Sequence, residues 1–122
     1  MLDVRDTNYQ KLESIGDEIF IKIAYPSESS LLQSYPNPAN NSCYIPFTLA
    51  KDSNVSLEVY NILGQRIRTI NIGFKKKGSY TKQDSAILWD LKNDTGIKAS
   101  KGLYFYKLTG DDFSAIKSMV VK

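Results

Sequence analysis

An all-β fold, built of antiparallel sheets packed face to face, is what this sequence predicts, on three observations. Short runs of β-branched and aromatic residues recur at regular spacing, divided by Asn, Asp, Ser, Gly and Pro. No stretch keeps a helical period for long; Tyr9, Leu12 and Ile15 come nearest, in a segment too short to be stable alone. Residues 102–122 read as one long β-hairpin, with Thr109-Gly110-Asp111-Asp112 as its turn. Two sheets sharing an apolar interior bury strands of this kind.

The elements follow in order. Residues 1–17 are polar and irregular, with Asn8, Gly16 and Asp17 as breakers. Residues 18–25 alternate as a strand, with Ile19, Ile21 and Ile23 on one face. Pro26-Ser27-Glu28-Ser29-Ser30 has the composition of a short linker. Residues 1–30 are therefore expected to be a linker or the tail of a preceding domain, adding at most one strand to residues 31–122.

Leu31–Tyr35 forms a short strand that runs into Pro36-Asn37-Pro38, suited to an edge or crossover because proline has no amide hydrogen. Tyr44–Leu49 is the next strand, with Pro46 placing an edge or a bulge within it. In Val55–Tyr60, Val55, Leu57 and Val59 face a core while Ser56 and Glu58 face water. Asn61–Gln65 closes a hairpin whose Gly64 supplies positive φ, and Arg66–Ile72 returns. Phe74–Gly78 is a basic loop and Lys75-Lys76-Lys77 a solvated tip; Ser79–Thr81 and Ala86–Asp90 are short strands. Apolar residues continue almost to Lys122, so the last strand is expected to be an ordered part of the domain.

Composition narrows the function. At 122 residues and net charge +3, the chain suits one domain and gives no basic stripe for nucleic acid. With no His and a single Cys, it lacks the commonest general base, any intrachain disulfide and a Cys-based zinc site. Cys43 reads as a small, half-buried residue. The acidic residues from Asp84 to Asp112 miss the spacing of a calcium loop, and their turn role suffices. No catalytic residue, metal or cofactor is expected, and no segment is long and apolar enough to span a membrane. The eight Tyr keep a sugar-stacking surface open, although Tyr104 and Tyr106 sit where packing is the simpler role.

Taken together, Leu31–Pro38, Val59–Arg68, Trp89-Asp90 and Gly102–Leu108 resemble the type A C-terminal sorting domain of the type IX (Por) secretion system. That family is related to the immunoglobulin-like domain of the flagellar hook-cap protein. The resemblance covers residues 31–122 and implies an immunoglobulin-like antiparallel sandwich of about seven strands. Its motif residues fall on Pro36, Asn37 and Pro38, on Leu63, Gly64, Gln65 and Arg66, and on Gly102, Tyr104 and Lys117. These are the candidates for translocon recognition. Where the family's longer variants carry Trp-Asp-Gly, this chain has Trp89-Asp90-Leu91.

The resemblance implies a non-catalytic domain that directs export and surface attachment of a larger cargo in a Gram-negative bacterium. Its partners would be the outer-membrane secretion machinery, a sortase-like protease and cargo domains preceding it in the same chain. Strand addition to an exposed edge is one mode of recognition, and a homodimer through an edge strand is a further expectation. A structural spacer or cap of a surface protein, and a carbohydrate-binding module, are the alternatives.

Overall fold

A computed structural model describes the backbone of residues 9–13 and 18–22, and the whole of residues 25–122. The described residues contain strands and turns and no helix. Strands β1 (Tyr9–Glu13) and β2 (Glu18–Lys22) form an antiparallel hairpin, from Tyr9 opposite Lys22 to Glu13 opposite Glu18. Residues 9–13 are thus a strand where an irregular segment was expected, because pairing with β2 overrides a weak local pattern. The breakers Asn8, Gly16 and Asp17, and residues 23–24, lie outside the described residues.

The remaining strands are β3 (Ser30–Leu31), β4 (Cys43–Ile45), β5 (Phe47–Leu49), β6 (Ser53–Tyr60), β7 (Arg66–Lys75), β8 (Gly78–Tyr80), β9 (Ile87–Trp89), β10 (Gly102–Thr109) and β11 (Ser114–Val121). They build a four-stranded sheet in the order β11-β10-β6-β7, a three-stranded sheet β3-β5-β8 and a pair β4-β9, all antiparallel. Alternation sends Val55, Leu57, Val59, Tyr104, Tyr106, Leu108, Met119 and Val121 to the inner face of the larger sheet, where they are buried. Leu31, Cys43, Ile45, Phe47, Leu49, Ile87, Trp89 and Leu91 complete the same core.

Pro46 is where the chain changes sheets. Up to Ile45 it pairs with β9, and from Phe47 it pairs with β3 and β8. A residue with no amide hydrogen loses nothing at such a break, and its carbonyl still accepts from Leu32 N–H (3.0 Å). The supposed linker is docked: Ser30 Oγ meets Thr48 Oγ1 at 2.6 Å, and Ser29 Oγ accepts from Ala50 N–H at 3.0 Å.

The strand expected over Leu31–Tyr35 stops at Leu31, apart from a single bridge between Tyr35 and Tyr44. Between them a side chain supplies the hydrogen bonds that a neighbouring strand would. Ser34 N–H donates to the buried Tyr106 Oη (2.9 Å), and that hydroxyl donates to Leu32 C=O (2.8 Å). Tyr106→Phe strands both backbone groups. We expect it to lower stability by about 2 kcal/mol, read as a lower urea midpoint at unchanged m-value.

The turn after Trp89 keeps a left-handed conformation without glycine. Leu91 has φ 61° and a fully buried side chain. Burying a leucine is worth about 1.5–3 kcal/mol, enough to offset the roughly 1–2 kcal/mol of left-handed strain. Cys43, expected half-buried, is wholly enclosed beside Met119 Sδ at 3.9 Å, and burial pushes its thiol up to about 12.

Candidate functional site

The candidate residues converge on one end of the four-stranded sheet. At this end Gly102 pairs with Val121, and the β6–β7 loop lies beside Phe105 through the pairing of Phe105 with Tyr60. Lys117 is set apart, opposite Tyr106 in the middle of β11.

Pro36-Asn37-Pro38 is exposed and runs along the outer edge of β11. Asn37 Oδ1 accepts from Val120 N–H (2.9 Å), Ala39 N–H donates to Val120 C=O (2.8 Å), and Lys122 N–H donates to Ala39 C=O (2.7 Å). Ala39 and Val121 form a parallel bridge, and Gln33 Nε2 donates to Ser118 C=O (3.0 Å). The proline motif therefore staples the end of the last strand and satisfies backbone groups that an edge would leave open. Below Ser118 that edge has no backbone partner among the described residues.

The β6–β7 loop is closed by two backbone bonds, Asn61 N–H to Gln65 C=O (3.0 Å) and Gly64 N–H to Asn61 C=O (2.9 Å), and by the Asn61 side chain. Asn61 Oδ1 accepts from Leu63 N–H and Gln65 N–H (both 3.0 Å), while Asn61 Nδ2 donates to Gln65 Oε1 (2.8 Å). Gly64, at φ 79°, lets the loop reverse, and a Cβ there would meet nothing. Arg66 pairs with Glu58 at 3.0 Å on the outer sheet face. This hydrogen-bonded tip presents Ile62 (70 % exposed) and Leu63 (78 % exposed) to solvent.

Gly102, at φ 145°, also answers a backbone need, since the space around its Cβ position is empty. Tyr104 is buried, edge-on to Trp89 at 6.0 Å, with its hydroxyl donating to Ser100 C=O at 2.7 Å. Lys117 points to the same side of the sheet as Tyr106 yet stays exposed at the rim. Aromatic rings elsewhere are engaged in packing: Tyr35 stacks on Tyr44 (5.6 Å) and Phe47 on Tyr80 (4.8 Å).

Around the turn after β9, Arg68 Nη1 contacts Asp90 Oδ1 (3.3 Å) and Lys92 C=O (3.0 Å), and Arg68 Nε lies 3.9 Å from Asp94. A guanidinium thus lies between Asp90 and Asp94, while Asp111 and Asp112 are engaged elsewhere, by Asn54 N–H and Lys51.

Two grooves flank the loop tip. One, of about 410 Å³, has Ile67, Ala99 and Tyr104 at its base, with Lys98 and Lys101 at its rim. The other, of about 390 Å³, lies between Tyr60, Phe105, Ile116 and Lys107. Ile62 belongs to both. Ile62 and these lysines escaped the sequence reading. The available signal was two large apolar residues inside a hairpin loop, where turn chemistry favours polar ones.

A family model described as "Secretion system C-terminal sorting domain" matches residues 33–122. Among solved structures, the crystal structure of dimeric latent PorU from Porphyromonas gingivalis is similar, with a TM-score of 0.58 at 18% identity. The match covers 86% of this chain and 10% of that one, so the chain spans about a tenth of its length. No curated protein matches the chain.

Proposed function

Because the chain belongs to the family of secretion system C-terminal sorting domains, we propose a mode of action for it that starts from that role. The domain is a sorting signal for type IX secretion, which sends a larger cargo protein to the surface or the surroundings of a Gram-negative bacterium. In our reading the secretion machinery recognises the end of the four-stranded sheet that carries Pro36-Asn37-Pro38, Leu63-Gly64-Gln65-Arg66 and Gly102. The observation that carries this is that those separate motifs lie at the same end of the sheet, Pro36-Asn37-Pro38 on the β11 edge and the β6–β7 loop across β10 from it. Tyr104 would act from beneath, by shaping the floor of one groove.

The finer fold reading is an immunoglobulin-like sandwich. It is supported by the single core shared between the sheets. Counting Cys43–Leu49 as one strand that changes sheets, and setting aside the two-residue β3, leaves seven strands from residue 30 onward. Residues 1–30 are read as a tail leading from the cargo, although Ser30 already touches Thr48 in β5 and Ser29 touches Ala50 just after it. The non-catalytic reading is supported by the enclosed, high-pKa thiol of Cys43. A sortase-like protease would act on the chain between cargo and domain.

A reporter carrying an export signal, followed by this 122-residue chain, tests the role in a bacterium that has the type IX machinery. Surface display of the reporter is the expected outcome. Retention in the periplasm would leave a passive spacer as the better description.

Self-association through β11 is a separate proposal. Its open edge favours pairing, while Lys117, a charge turned toward the inner side of an edge strand, opposes it. Lys117→Val is expected to shift the chain from monomer toward dimer in sedimentation velocity. A wild-type chain that is already dimeric would remove the guarding role.

A further inference from the structure

We propose that the two grooves beside Ile62 seat an extended peptide of the recognising partner, one whose apolar side chains alternate with carboxylates. The proposal rests on the sorting role above and gives its recognition step a chemistry.

The grooves are apolar inside and basic at their margins. Every charged residue lining them is a lysine: Lys98 and Lys101 at the first, Lys107 at the second. Lys98 and Lys101 have no carboxylate partner among the described residues, and the Glu58 opposite Lys107 is engaged by Arg66 at 3.0 Å. Field and shape therefore favour an apolar ligand carrying negative charge. Ile62 stands as a ridge between two hollows, so neighbouring apolar side chains of one ligand would straddle it.

The tip is also preorganised. Asn61 ties the loop through Leu63, Gln65 and its own side chain, so presenting Ile62 and Leu63 requires little further ordering on binding. Ile116, which lines the second groove, belongs to the unstapled part of β11. A peptide lying there would find backbone donors and acceptors beside it, which suits an extended chain. A lipid surface would meet a ridge and two hollows rather than a flat apolar face.

The test uses the 122-residue chain and a dye-labelled decapeptide alternating Asp with Leu and Phe, read by fluorescence anisotropy. A counterpart with Lys for Asp and vesicles of phosphatidylglycerol are the comparisons. The acidic peptide is expected to bind, the basic one is not, and added salt weakens the complex. Ile62→Ser and the pair Lys98→Glu, Lys101→Glu should each cost about tenfold or more in affinity. These side chains are exposed, so an unchanged thermal transition shows that the variants still fold.

Equal binding of both peptides, indifference to Ile62→Ser, or binding to vesicles alone would overturn the proposal. The reporter separates the two readings. If Ile62→Ser loses the peptide yet is exported normally, the grooves are not the recognition step and the sorting role stands. If the wild-type reporter stays inside, the sorting role falls whatever the peptide does.

Discussion

Deleting residues 113–122 is expected to abolish the cooperative fold and export together. β11 pairs with β10 along its whole length, from Gly102 opposite Val121 to Thr109 opposite Ser114. Its Met119 and Val121 are buried, and each contributes about 1.5–3 kcal/mol. The ladder adds about 0.5–1.5 kcal/mol per net hydrogen bond, and the staple to Asn37 and Ala39 is lost as well. Against a total stability of about 5–15 kcal/mol for a domain, that loss is decisive. The truncated chain should show no sigmoidal thermal transition. Its Cys43 should react readily with a thiol reagent near neutral pH, whereas in the whole chain enclosure and a pKa near 12 protect it. A truncated chain that melts cooperatively, shields Cys43 or still reaches the surface would refute this.

Trp89→Ala is expected to have the next largest effect. The indole is wholly buried, meets Tyr104 edge to face at 6.0 Å and donates through Nε1 to Lys92 C=O at 2.9 Å. Its removal leaves a cavity between β9 and β10 and frees the turn that carries Leu91. A loss of about 3–5 kcal/mol is usual for such a truncation, which lowers the melting temperature on the order of 10–20 °C. Trp89→Phe keeps part of the ring and loses the hydrogen bond, so a drop of about 1–2 kcal/mol is expected. Equal losses for the two variants would mean that the hydrogen bond, not the packing, matters at this position.

The strands whose chemistry is local were legible in the sequence. The alternation of Val55, Leu57 and Val59 holds in β6, the β6–β7 hairpin turns at Asn61–Gln65 as expected, and the β10–β11 hairpin turns within the expected Thr109–Asp112, with Thr109 itself still in β10 opposite Ser114. Pro46 was legible as a disturbance but not as a change of sheets, because the partner strands on its two sides lie far apart in sequence. The strand expected through Leu32–Ser34 gives way because Ser34 N–H and Leu32 C=O bond to the Tyr106 hydroxyl, more than seventy residues away, and not to a neighbouring strand. Leu91 looked like a departure from a glycine turn, yet the turn keeps its left-handed residue, compensated by burial that no local pattern announces.

The candidate site was legible only as separate motifs. That they share one end of a sheet follows from the register of β10 with β6 and β11. Ile62 and the surrounding lysines have no motif of their own. They form a surface only after Ala99–Leu103 and the β6–β7 loop are brought together.

The staple between residues 33–39 and β11 has a mechanical consequence. The two segments run parallel, so a pull between Leu31 and Lys122 drags them past one another lengthwise. Gln33 with Ser118, Asn37 and Ala39 with Val120, and Ala39 with Lys122 then bear the load simultaneously instead of peeling apart in turn. Shear of this kind raises the barrier to forced unfolding, which governs how long a fold survives under tension. A domain towing cargo from its N-terminal side is thereby clamped along the line of the tow.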